Sequence, residues 1–189
     1  MDTPRRPRAL TALALAAVLG GALAMPASAA NTITQTINAG TRSASIADLT
    51  LGAVSYSHSA QSSTGNMVLT SDDSSGSGAG WNVTVLSSAF VYSGVNGGTN
   101  IPAANFSATA ASAPTSTAGD PVDPIGGPKV PLTFIAPATL DVARKTLQAE
   151  LTFGEGTYTQ NLGVSLAIPA QSRVGTYTGT MTVTISAGP

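Results

Sequence analysis

Residues 72–86 read DDSSGSGAGWNVTVL, a polar, glycine-rich loop that gives way to an alternating run at Trp81. Trp81, Val83 and Val85 fall on one side of that run, and Asn82, Thr84 and Leu86 on the other. Period-two alternation marks a strand with one buried face. Upstream, Met67, Val68, Leu69 and Thr70 form a second short run. Together they predict a hairpin-like strand, loop and strand, with Trp81 entering the core just after the turn. Trp81 is the only tryptophan in the 189-residue chain. A buried indole supplies a large apolar surface and one N–H that needs an acceptor. Trp81 is therefore expected to anchor the core rather than to stack on a sugar at the surface.

The same alternation recurs towards the C-terminus. Tyr158, Leu162, Val164, Leu166 and Ile168 share a face, and Pro169 ends the run. In residues 175–186, Tyr177, Met181, Val183 and Ile185 face one way and a row of threonines the other, which suits one strand with a solvated face. Shorter strands are expected at residues 31–38, 43–51, 89–92, 105–107 and 132–135. Residues 141–150, DVARKTLQAE, form the one window with weak helical spacing. Residues 108–131 hold Pro114, Pro121, Pro124, Pro128 and Pro131 with Gly126 and Gly127, and read as a long Pro/Gly-rich connecting loop between two sheets. The expected fold is all-β, an Ig-like antiparallel β-sandwich.

The first 29 residues stand apart. Arg5, Arg6 and Arg8 precede an Ala/Leu-rich apolar run, and Ala27-Ser28-Ala29 is a small-x-small cleavage pattern. This is the pattern of a secretory signal peptide, residues 1–29, leaving residues 30–189 as a single domain. Without Arg5, Arg6, Arg8 and Asp2 the chain has a net charge near −3. That excludes the basic surface that nucleic acids and anionic membranes require. No segment of the mature chain is apolar enough to span a bilayer. The chain has no cysteine, so its stability rests on burial and strand pairing.

Chemistry-bearing patterns are sparse. His58 is the only histidine and sits in a Ser-rich loop, with no G-x-S-x-G elbow to pair it with a nucleophile. Asp72 and Asp73, with the nearby serines and Asn82, make a candidate binding loop. They lack the spaced carboxylates and closing Glu of a calcium loop, and loop residues that cap strand ends explain them as well. Asp120 and Asp123 are read the same way. No catalytic residue, metal ligand set or cofactor site is assigned.

Several segments resemble WxL-domain proteins. The run from Met67, MVLTSDDSSGSGAGWNVTV, is similar to the family's first motif, read here as Gly80-Trp81-Asn82-Val83 with valine in place of leucine. Ile101-Pro102-Ala103 matches the segment downstream. Residues 164–189 follow the family's order, with Ile168-Pro169-Ala170, then Gly175-Thr176-Tyr177 and a Thr-rich strand ending in Pro189. The terminal strand reads Met181-Thr182-Val183, without the second tryptophan that the family often carries there. The resemblance implies a secreted, non-catalytic, all-β bacterial surface domain. It also implies non-covalent association with the cell wall, with peptidoglycan or partner surface proteins as ligands. Gly80, Trp81, Val83 and Tyr177 are its motif and core residues. The alternative is a fimbrial or coat-type subunit assembling by β-strand exchange, with residues 31–38 as the donated strand.

Overall fold

A computed structural model describes residues 32–189, so the expected signal peptide lies outside the described residues. Of the first unit, Met1–Thr36, the described residues 32–36 are exposed and form no strand. The second unit, Ile37–Pro189, carries every strand among the described residues. These are β1 (Arg42–Ile46), β2 (Gln61–Asp73), β3 (Trp81–Ser87), β4 (Val91–Ser93), β5 (Phe106–Ala111), β6 (Thr115–Gly119), β7 (Ala138–Thr139), β8 (Arg144–Ala149), β9 (Gly156–Ile168), β10 (Thr176–Thr178) and β11 (Met181–Ala187).

The strands form an antiparallel sandwich. The larger sheet runs β1-β2-β9-β5-β7, with β6 also pairing with β9; the smaller runs β11-β3-β8, and β4 and β10 make a separate ribbon. The spine is the β2–β9 pair, in register from Gln61↔Ile168 to Asp73↔Gly156. Thirteen residues in each strand give a ladder roughly 40 Å long. Its inner face carries Met67, Leu69, Tyr158, Leu162, Val164 and Leu166, all buried. Trp81, Val83, Val85, Leu147 and Ala149 meet them from the smaller sheet. The interior also holds a polar tie: the Gln160 amide on β9 donates to the Thr146 carbonyl on β8 at 3.0 Å, joining the sheets.

Trp81 and the terminal strands follow the alternation, but several local expectations do not hold. The stretch around Trp81 is no hairpin, because β2 and β3 lie in different sheets and the loop between them crosses the sandwich. Residues 141–150, the window of weak helical spacing, hold β8 instead, paired with β3 from Trp81↔Ala149 to Val85↔Arg144. A bulge at Val83/Thr84 lets Thr146 and Leu147 both turn inward, and this broke the period of two in the sequence. The long loop is also shorter than expected. Residues 108–119 hold most of β5 and all of β6, both paired with β9 in one sheet. Pro114 stands between those strands, where no ladder N–H is required; only 120–131, with the remaining prolines, stay irregular. Residues 32–38 and 132–135 form no strand. The expected terminal strand 175–186 divides at Gly179 and Thr180, and β10 pairs with β4 instead.

Tyr158 offers a test of this core. Its hydroxyl donates to the Asp120 carbonyl at 2.9 Å. Burial first, then the carboxylates of Asp120, Asp73 and Glu155, push its pKa up to about 12. In the unfolded chain the phenol ionises near ~10, so the unfolded state loses its proton first. The contribution of Tyr158 to stability is complete below that pH. It falls by at most about 1.4 kcal/mol per pH unit on the way to the folded pKa. Thermal melts at rising alkaline pH are expected to show this decline, and Tyr158→Phe to remove its share of it.

Candidate functional site

The two ends of the sandwich differ. At one end, Trp81 is fully buried, its ring centroid 6.1 Å from that of Tyr158. Its Nε1–H donates to the Gly154 carbonyl at 2.9 Å. Gly154 has φ +80°, and a Cβ there would stand 3.0 Å from Nε1, so glycine permits the approach of backbone to indole. Val83 is fully buried beside Trp81. Gly80 turns the chain into β3 with φ +64°.

The polar side chains expected as a binding loop are engaged internally. Asp72 accepts from Ser74 Oγ at 2.8 Å and from Thr157 Oγ1 at 2.7 Å. Asp73, nearly buried, pairs with Arg42 Nε at 3.0 Å and caps the Ser75 N–H at 2.9 Å. Asn82 donates to the Gly188 carbonyl at 2.8 Å, holding the C-terminal residues against β3. Glu155 accepts the Gly78 N–H at 3.0 Å, closing the loop from the far side. Asp123 caps the N–H groups of Gly126 and Ile125, which hold its carboxyl below the usual range, with Lys129 adding to the effect. Among the described residues, no three of His, Cys, Asp and Glu gather as metal ligands would. The structure therefore brings Asp72, Asp73, Asn82, Gly80 and Trp81 together as a brace at one end of the sandwich.

Tyr177 is elsewhere. It is half-buried on β10, its ring 5.2 Å from that of Tyr92 on β4. Tyr92 and Tyr177 donate to the carbonyls of Val174 and Arg173, each at 2.9 Å, and so hold the segment before β10 in a fixed course. β10 and the residues flanking it form one wall of a groove of about 620 Å³. Residues 49–57 form the opposite wall, and Phe90, Ile101, Leu166 and Ile168 belong to its lining. The groove lies where Gln61 and Ile168 pair, the far end of the β2–β9 ladder from Asp73 and Gly156. Tyr56, about half exposed, and Arg173, exposed, bring an aromatic ring and a guanidinium to it. His58 stands edge-on to Tyr56, centroids 5.3 Å apart. A second depression of about 420 Å³ lies beside Phe134, Pro137, Arg144 and Lys145.

The groove thus combines apolar surface, tyrosine rings and a cation. That combination suits an elongated polar ligand with apolar faces. Sequence reading passed over Tyr56 and Arg173, because each lies in a loop without periodicity. The legible signal at Tyr56 was an aromatic residue inside an otherwise small and polar stretch.

The family of WxL domain surface cell wall-binding proteins matches residues 27–189. The chain belongs to the WxL family. Its place in that family makes it a cell-surface protein that binds the cell wall. No curated protein and no solved structure matches the chain. Within this WxL domain, the tryptophan of the signature is a core residue with no surface to offer a ligand. No helix among the described residues is long and apolar enough to cross a membrane.

Proposed function

We propose that this WxL domain is a secreted, non-catalytic module held non-covalently on the bacterial wall, and that the groove between residues 49–57 and β10 takes the wall glycan, peptidoglycan. The observation that carries this reading is the groove itself. It joins tyrosine rings to an exposed arginine, whereas the polar groups around Trp81 are engaged within the fold. In this reading the apolar face of a sugar stacks on Tyr56, and Arg173 meets carboxylates of a wall peptide.

Co-sedimentation of the chain beginning at Ala30 with isolated cell walls tests this reading, before and after attached proteins and secondary polymers are stripped. Binding to bare peptidoglycan is expected. Tyr56→Ala and Arg173→Ala alter exposed side chains and are each expected to weaken it about tenfold, equivalent to ~1.4 kcal/mol. Binding confined to unstripped walls would transfer the role to a partner surface protein or polymer. Binding unaffected by both variants would remove the groove from the interaction.

A further inference from the structure

The smaller sheet ends on β11, whose own sequence and register carry none of the devices that usually blunt an edge. β11 reads MTVTISA, with no charged residue and no proline. It pairs with β3 without a break from Met181↔Ser87 to Ala187↔Trp81, so no bulge twists it away. Exposed edges of this kind are templates for a further strand. The other edges are guarded. β8 is bridged by Lys129 at Gln148, β7 is two residues long, β1 carries Arg42, β6 is broken by a bulge at Ser116/Ala118, and β4 and β10 are three residues each. β1 lies alongside β11, but among the described residues no backbone hydrogen bond joins them. Their side chains meet across a seam that stays half-open. Ala44, Ile46, Met181, Val183 and Ile185 pack on the core while remaining only partly buried.

The same chain carries a segment that fits this edge. Residues 32–38, TITQTIN, alternate as a strand should, yet make none. Ile33 is 97% exposed and Ile37 91% exposed. Two β-branched apolar residues four positions apart fall on one face of a strand, roughly 13 Å apart. Met181 and Ile185 have the same spacing along β11. The segment has no charge to repel the edge.

We propose that residues 32–38 of one copy add as a strand to the free edge of β11 in a second copy, with Ile33 and Ile37 closing the half-open seam. Main-chain ladder bonds supply the association, and the two isoleucines set its register. Because a donor and an acceptor edge occur on every copy, the contact is head-to-tail and propagates into chains. This surface is separate from the proposed glycan groove, so wall binding can fail while the assembly stands.

Light scattering of the chain beginning at Ala30, over a hundredfold range of concentration, tests it. Mass is expected to rise with concentration. The Ile33→Asp/Ile37→Asp variant, altered only at exposed positions, is expected to remain monomeric with an unchanged melting temperature. Amide exchange should slow at least tenfold across residues 181–187 in the assembled protein relative to that variant. A monomer at every concentration would overturn the proposal. So would association that survives both aspartates, or slowed exchange away from β11.

Discussion

Replacing Trp81 with alanine is expected to bring the domain close to unfolding. The indole is fully buried between the sheets, with Tyr158 beside it and Val83, Val85 and Leu147 in the same cluster. Truncating such a side chain costs about 3–5 kcal/mol, from lost burial and from the cavity left behind. The Gly154 carbonyl also loses its donor, and an unsatisfied buried acceptor adds roughly 1–3 kcal/mol. A domain of this size has about 5–15 kcal/mol to lose. A fall in melting temperature of about 10–20 °C, read by far-ultraviolet circular dichroism, is the expected result. Trp81→Phe keeps most of the volume and loses the N–H, so its effect should be clearly smaller. A Trp81→Ala chain that melted like the parent would show that the core does not depend on the signature residue.

Gly80→Ala is expected to have the second large effect, and it separates two causes. At φ +64° an L-residue is strained by about 1–3 kcal/mol. A Cβ at Gly80 would also stand 2.6 Å from the Ala149 carbonyl oxygen and 2.8 Å from the Glu150 carbonyl carbon and oxygen. Those are backbone atoms at the β3–β8 junction and cannot rotate aside. Forced overpacking of this kind adds a further ~1–3 kcal/mol. Gly76 supplies the control. It has nearly the same φ, +62°, with nothing within 4 Å of the position a Cβ would take. Urea unfolding should show a modest loss for Gly76→Ala and a loss about twice as large for Gly80→Ala, with the denaturant slope unchanged in both. Equal losses would mean that the loop shifts to relieve the contact. Together with Trp81→Ala, the pair tests why the Gly-Trp step of the WxL signature is built this way. Gly80 turns the chain so that the next side chain enters the core.

The strand character of residues 81–86 and 158–168 was legible in the sequence, because alternation is a local property of a strand with one wet face. So was the burial of Trp81, since an aromatic-poor chain has few other groups large enough to seed a core. The family was legible from the motifs at the two ends of the domain. Other features were hidden in the three-dimensional arrangement. The β8 segment had the spacing of a weak helix, because a bulge in β8 itself, opposite Val83/Thr84, placed Thr146 and Leu147 inward together. Residues 108–119 looked like loop, because β5 and β6 are short and rich in Ala and Thr; pairing with β9 makes them strands.

The candidate site divides in the same way. Residue types alone showed that Asp72, Asp73 and Asn82 were polar groups in one loop. Only their partners, Ser74, Thr157, Arg42 and the Gly188 carbonyl, showed them to be a brace. The groove joins Tyr56 to Tyr177, residues far apart in the chain, and no local pattern links them. The sequence by itself determined which residues alternate, which must be buried and what charge the surface carries, because these follow from side-chain chemistry and a period of two. Tertiary structure alone decided that β2 and β3 belong to opposite sheets, that β11 pairs on one side only and that a groove opens beside Tyr177. Such features depend on which distant strands find one another, and ladder hydrogen bonds between backbones carry no mark of that choice in the sequence.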